Sequence, residues 1–446
     1  MPCPVRLHRR VVPSMVPLLL AAGCQHYVAD PPDPSRHLAE FLTRTPGTPT
    51  VRTAAGAFDP TDGLDAREAE AVALVFNREL RLARAAAGVT QATAATAGTW
   101  SDPELGVDLA RILQSAPEPW KLFGSIGLTL PLSGRLELER AQAGRSHAAT
   151  LARVAEQEWQ LRHVVRRAFA EWEAAQARAE SVREFAARLD SLAALVEQLE
   201  RAGALRRAEA RLIRIRQAEI AADVVTEEAE VARFAFRIRQ ELGLPPASEL
   251  RFVPGARLAL PDAEIDVAAA LLRHPGQITA LAEHQAAEAA LELEIRRQYP
   301  DLGLAPGLGR EDGDDQLTLG LRLPLPLWSM NRRAIAEATA QRDLARERVE
   351  AGLEQRCGAL AEATARHDGA LRRQAIVHER LMPLADEQLE ETRRLAALGE
   401  VDTLLLLASL VSRHEAHRHA LDAALAVATA TVDLHELLGA ASEIPQ

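Results

Sequence analysis

Lysine is nearly absent from this 446-residue chain: Lys121 stands alone among 52 basic side chains, and arginine supplies the rest. Aromatic residues are also scarce, at 4%, while Ala, Leu, Arg and Glu dominate. Such a composition is unusual for an enzyme and favours long helices that meet along small-residue seams. Surplus positive charge is missing as well. The formal net charge is -11, and a cleaved leader would remove Arg6, Arg9 and Arg10, so a broad nucleic-acid-binding surface is excluded.

Cysteine is limited to Cys3, Cys24 and Cys357. The first leaves with a leader and the second carries lipid on the reading below, so no intrachain disulfide is expected in the mature chain. Beyond the N-terminus no stretch approaches the ~20 apolar residues of a membrane-spanning helix. A chain that crosses a bilayer must then do so with strands. Catalytic signatures are missing too: no Ser or Cys sits in a nucleophile turn, and no Gly-rich loop follows a strand and opens a helix. His414, His417 and His419 fall one residue short of the His-Glu-x-x-His zinc spacing and read as a solvated helix face. The many Glu-Arg neighbours read as surface ion pairs at helical spacing. Four methionines offer no relay for a soft metal. No enzymatic activity, metal or cofactor is expected.

What is present begins with an export signal. Arg6 to Arg10 is basic, Val11 to Ala22 is apolar, and the small residues Ala21, Ala22 and Gly23 precede Cys24. Residues 1–23 read as a signal peptide resembling a bacterial lipobox, with Cys24 becoming an acylated, palmitate-bearing first residue. Ala21 stands where such boxes usually have Leu, and Pro13 and Pro17 interrupt the apolar run. Residues 24–62, rich in Pro, Thr and Asp, read as an extended, lipid-anchored linker.

The sequence then runs through one programme twice. Pro103 and Leu105 recur as Pro300 and Leu302, Arg135 as Arg332, and Ala141 and Ala143 as Ala338 and Ala340, each 197 residues apart. Gly203 recurs as Gly399 and Gly243 as Gly439, each 196 apart. A near-constant offset over so many landmarks implies two tandem units, 63–245 and 246–440, followed by a tail over 441–446.

Each unit opens with period-two sequence. Leu105, Val107 and Leu109 share one face; Leu317, Leu319, Leu321 and Leu323 oppose Gln316, Thr318, Gly320 and Arg322. The expected strands span about 104–113 and 122–132, then about 301–309 and 316–327. A Leu-rich face against a small or polar one is what a membrane barrel requires. The lengths match the ~9 to 11 residues of a tilted spanning strand. Trp100, Trp120, Tyr299 and Trp328 mark the strand ends, where interfacial aromatics belong. Four strands cannot close a barrel, and lipid tolerates no open edge, so other chains must supply the rest.

Long helices follow each hairpin, over about 135–201 and 204–242, then 332–398 and 401–438. From Arg135 to Arg201 there is no proline, and Phe185, Leu189, Leu192 and Val196 alternate spacings of four and three. The second unit differs by Pro383, which would kink its helix.

This arrangement resembles the TolC-like outer-membrane efflux proteins, the outer-membrane factors, of the lipoprotein type. Asn77, Leu80 and Pro103-Glu104-Leu105 match the family's opening helix and first strand; Pro383, Gly399 and Leu404 to Leu407 match its second-unit signature. The resemblance implies an α+β membrane protein with four transmembrane strands per chain. A homotrimer then closes twelve strands into a barrel continued by a periplasmic α-helical barrel, and it works with a periplasmic adaptor and an inner-membrane pump. It also implies a passive exit duct in the outer membrane, lipid-anchored and without enzymatic activity. Family resemblance places adaptor docking and the periplasmic aperture at Gly203, Leu205 and Glu209 and at Gly399, Val401 and Asp402, with Leu205 and Val401 as exposed apolar residues. Glu200 and Ala396 replace an aromatic residue that members often carry, and Ala408 replaces a common acidic one. The alternative reading is a non-channel periplasmic coiled-coil lipoprotein acting as a scaffold, against which the Leu-faced strands speak.

Overall fold

The computed structural model describes residues 26–47, 62–111, 113, 120–255, 258–260, 266–311, 314–398 and 403–439. Residues 1–23, expected to be a signal peptide, and Cys24 lie outside the described residues. The chain divides into two units after Arg44. The first unit holds helix α1 (Pro34–Leu42), capped by Asp33, whose carboxylate accepts the Arg36 N–H at 3.0 Å, with Pro34 in the first turn. The reading of 24–62 as wholly extended is thereby corrected. An Asp-Pro start supplies both a cap and a helical φ, signals that weigh more here than the weak periodicity.

The second unit runs α2 (Ala66–Phe76), α3 (Arg78–Thr96), β1 (Glu104–Arg111), β2 (Trp120–Leu130), α4 (Arg135–Arg201) and α5 (Arg207–Glu241). It continues with α6 (Val267–Arg273), α7 (Pro275–Arg296), β3 (Leu302–Glu311), β4 (Asp314–Arg322), α8 (Arg332–Ile376), α9 (Met382–Ala397) and α10 (Thr403–Leu438). Helix α4 is the spine. Its 67 residues span roughly 100 Å at about 1.5 Å per residue, and it touches α2, α3, α5, α7 and α10.

Apolar burial along α4 falls into two zones. One gathers Phe169 and Trp172 with Phe252, Leu64, Leu80, Ile238 and Leu242. The other sets Phe185, Leu189, Leu192 and Val196 against Ile213 and Ile220 of α5, Leu389 of α9 and Leu410 of α10. Alternating spacings of four and three keep these residues on one stripe, so the stripe stays buried over many turns.

The expected helix over 332–398 carries one irregularity, with its backbone helical on both sides. A π-helical turn, Val377–Leu381, separates α8 from α9 just before Pro383. Proline offers no N–H, and its ring collides with the carbonyl four residues back; a widened turn relieves both.

The strands form one antiparallel sheet in the order β1-β2-β3-β4. Gly106 faces Ser125 and Asp108 faces Phe123 in the first hairpin; Gly303 faces Arg322 and Ala305 faces Gly320 in the second. Moving the first register by 197 residues on both strands reproduces the second from Gly106↔Ser125 to Arg111↔Trp120, which become Gly303↔Arg322 to Leu308↔Leu317. Between the hairpins, β2 and β3 join Leu122 to Arg310 at one end and Leu130 to Leu302 at the other.

Candidate functional site

The sheet separates its residues by chemistry. Leu105, Val107 and Leu109 of β1, Leu122, Ile126 and Leu128 of β2, Leu308 of β3 and Leu317, Leu319 and Leu321 of β4 lie on one face, all exposed. Alternation sends Gly106, Asp108, Ser125, Thr129, Gly303, Ala305, Gly307, Thr318, Gly320 and Arg322 to the other. Phe123 is the aromatic residue on that second face, close enough to Gly309 that a Cβ there would stand 2.0 Å from its ring. The outer strands β1 and β4 each have a partner on one side only. Trp100, Trp120, Tyr299 and Trp328 are exposed at strand ends. A surface of this size made of leucine and valine is unfavourable in water and matches a hydrocarbon environment.

At the far end of α4 the chain reverses at Gly203, whose φ is +74°. Gly203 N–H donates to the Glu200 carbonyl at 3.1 Å and Ala204 N–H to the Leu199 carbonyl at 2.9 Å, the Schellman pairing that closes a helix. Leu205 does not stay exposed: it is half-buried against the Leu192–Val196 zone. That corrects the expectation of an apolar residue open to solvent, because the left-handed turn folds the chain back onto its own seam. Glu209 is half-buried in the first turn of α5, where an N-terminal helix dipole favours a carboxylate. Gly399, Val401 and Asp402 lie outside the described residues. Thr403, just after them, is buried, and Leu406 and Leu407 pack on the same apolar zone.

The histidine cluster of α10 is not a solvated face. His414 is buried, its ring stacked on Phe185 with centroids 4.4 Å apart, while His417 is half-buried and His419 exposed. The spacing of Phe185 on the α4 seam already placed an aromatic there, but not its partner on α10.

A second polar site escaped the sequence reading. His163 and His435 are both buried, and His163 Nε2 lies 2.9 Å from His435 Nδ1. Because the Trp159 carbonyl, 2.8 Å from His163 Nδ1, can only accept, His163 carries a proton on Nδ1. Trp159 stacks on His435 and donates its indole N–H to the Glu436 carbonyl at 3.0 Å. Arg166 stands 3.4 Å from His435 Nδ1 and pairs with Glu70. A cleft of about 1090 Å3 opens alongside, lined in part by Glu70, Arg166, Phe169, Thr431 and His435.

Burial, and then His435, Arg166 and Arg162, push the His163 imidazole down to about 3, against the pull of its bond to Trp159. A folded-state value below the unfolded one means that the unfolded chain binds the extra proton. The stability tied to neutral His163 is therefore full above pH ~6.5 and is lost as pH falls toward 3. From pH 7 to 5 the loss comes to about 2 kcal/mol. His274 and His414, lowered first by burial, act in the same direction. Urea unfolding followed by circular dichroism is expected to show this drop. His163→Phe is expected to flatten the pH dependence, and an unchanged slope would contradict the assignment.

No protein-family model and no curated protein sequence matches the chain. Solved structures do. The outer-membrane channel OprN superposes with a TM-score of 0.72 at 20% identity, over 84% of this chain and 89% of that one. CusC, a transmembrane channel former, gives 0.70 at 18% identity over 84% and 93%. The CmeC outer-membrane channel of Campylobacter jejuni gives 0.70 at 13% identity over 87% and 88%. With its helical body and its one-faced antiparallel sheet, the chain has the fold of these outer-membrane channels, the fold that resemblance to the TolC-like outer-membrane factors implied.

Proposed function

We propose that this chain is the outer-membrane component of a tripartite efflux or secretion system, a passive duct built from three copies. The observation that carries the reading is the four-stranded sheet, with leucine on one face, small and polar residues on the other, and both edges open. Closed bacterial membrane barrels have an even number of strands and at least eight, so one chain is insufficient and a trimer supplies twelve. The ~100 Å of α4 suits the tunnel that continues such a barrel across the periplasm. On this reading the tandem units 63–245 and 246–440 each give one hairpin to the barrel, and Cys24 tethers the chain to the outer-membrane inner leaflet. The tips at Gly203, Leu205 and Glu209 and at Gly399, Val401 and Asp402 form the adaptor-docking ring and aperture, and an inner-membrane pump drives the cargo. The duct performs no reaction of its own.

The test combines assembly, conduction and export. Native mass spectrometry of the membrane-extracted protein is expected to give a trimer, and planar bilayers containing it are expected to conduct. Val401→Arg should leave both unchanged while abolishing adaptor crosslinking and export. A stable folded monomer in membranes would overturn the channel reading, whereas unchanged export in the variant would overturn only the tip assignment.

A further inference from the structure

Where the helices join the sheet, the second tandem unit has a surface chemistry that the first lacks. From the end of α7 into β3 the chain passes Arg296, Tyr299 and Leu302; from β4 into α8 it passes Leu323, Leu325, Leu327, Trp328 and Arg333. Both passages run between basic, aromatic and apolar residues, in opposite directions, at the same end of the sheet. Tyr299 is 60% and Trp328 86% exposed, and the leucines over 323–327 are exposed as well. That order matches the depth profile of a leaflet: hydrocarbon, then the interfacial belt of Tyr and Trp, then the headgroup phosphates.

Two arginines point to a ligand. Arg297 and Arg135 are spent within the chain, the first on Glu294 and Glu139 and the second on Asp301 at 3.1 Å. Arg296 and Arg333 are exposed, and among the described residues neither makes an ion pair. Arg296 lies instead over Tyr299, its Cζ 5.9 Å from the ring centroid. Asn331 ties the two passages together: its Nδ2 donates to the Glu294 carbonyl at 2.8 Å, two residues from Arg296 on one side and two from Arg333 on the other. Arg332 and Arg333 open α8, whose first turn has neither an acidic residue nor a side-chain cap. Positive charge there opposes the helix dipole, so the folding of the chain alone does not favour it. A guanidinium matches a phosphate in shape and charge.

The first unit lacks the set. At an offset of 197 residues, Thr99, Asp102, Pro131 and Leu136 stand where the second unit has Arg296, Tyr299, Trp328 and Arg333. Arg332 maps onto the paired Arg135, so the other two arginines set the units apart. Trp100 is exposed in the first unit, but Asp102 follows it and Arg140 donates to the Gly98 carbonyl at 2.8 Å. A requirement of the sheet-to-helix junction itself would appear in both units.

We propose that Arg296 and Arg333, flanked by Tyr299 and Trp328, bind the phosphate of an anionic phospholipid in the leaflet on the helical side of the sheet, one site per copy and on the second hairpin only. A zwitterionic lipid brings its own ammonium to the same phosphate, so the site favours the lipid with net negative charge. The inference rests on the channel reading and adds a lipid partner to it.

The test is native mass spectrometry of the full-length protein reconstituted with equal amounts of phosphatidylglycerol and phosphatidylcholine. The trimer is expected to keep up to three phosphatidylglycerol molecules, several-fold over phosphatidylcholine. Arg296→Gln/Arg333→Gln should erase that preference and leave the trimer and its conduction unchanged. Thr99→Arg/Asp102→Tyr, which moves half of the site to two exposed positions of the first unit, should raise the number retained above three, and it decides the matter if the glutamine variant fails to assemble. Equal retention of the two lipids by the wild type, or an unchanged preference in an assembled glutamine variant, would overturn the lipid site; a trimer in the same spectra leaves the channel reading standing. A monomer that keeps neither lipid would overturn both.

Discussion

Phe169→Ala is expected to destabilise the protein by about 3 to 5 kcal/mol, the range for deleting a buried phenyl ring without collapse of the cavity. Aromatic side chains are rare in this sequence, yet three of them meet here. Phe169 and Phe252 have ring centroids 5.5 Å apart at 77°, and Trp172 and Phe252 lie 5.7 Å apart at 76°, both edge-to-face. Phe169 is 1% exposed. Phe252 is held in place by a parallel bridge to Leu64 and by Arg239 over its ring at 5.1 Å. The cluster therefore ties the spine helix α4 to the segment after α5 and to the entry of α2. Edge-to-face geometry adds about 0.5 to 1.5 kcal/mol per pair beyond area burial, which the alanine loses and a leucine does not restore. The close approach of Gly243 to the Phe76 carbonyl belongs to the same zone. A Cβ there would stand 2.2 Å from that oxygen, so the backbone leaves no room to rearrange around a hole. Thermal unfolding by circular dichroism checks the prediction. A Phe169→Ala melt close to wild type would mean that the junction is held elsewhere, and Phe169→Leu should fall between the two.

How much of this was legible beforehand depended on the range of the signal. Period-two leucines and a proline-free stretch from Arg135 to Arg201 are local patterns, and backbone geometry converts them directly into strands and a helix. Phe185, Leu189, Leu192 and Val196 are readable as a seam because helical spacing repeats them on one stripe. Pairings across the fold are not. His163 and His435 are 272 residues apart, and nothing in either neighbourhood marks a buried imidazole that needs a partner. The same holds for Phe252, which sits in an irregular segment without periodicity. Leu205 was misjudged because the path of the chain after a left-handed glycine depends on the seam it folds against. Helix α1 is different in kind, since Asp33 and Pro34 carry a local start signal inside a stretch whose Pro- and Thr-rich composition reads as extended.

Leu319→Arg is expected to cost about 2 to 4 kcal/mol of barrel stability, the penalty for an arginine near the bilayer midplane on a lipid-facing position. Leu319 is opposite Pro306 in the ladder and 67% exposed in the single chain, midway along β4. No carboxylate of its own sheet is directly opposite, so the guanidinium would enter hydrocarbon unpaired or drag water and headgroups inward. The matched control is Thr318→Arg, one residue earlier on the same strand. Alternation turns that side chain to the other face, opposite Gly307, the face that lines the proposed duct. Placing the same side chain on the two faces separates charge from size and from β propensity. Urea unfolding of the barrel in lipid vesicles, read by loss of its gel-shifted folded band, is expected to show a large drop for Leu319→Arg and little change for Thr318→Arg. Equal losses in both would mean that the sheet does not face lipid with its leucines. A loss only in Thr318→Arg would reverse the assignment of the two faces, and with it the polar lining through which cargo is proposed to pass.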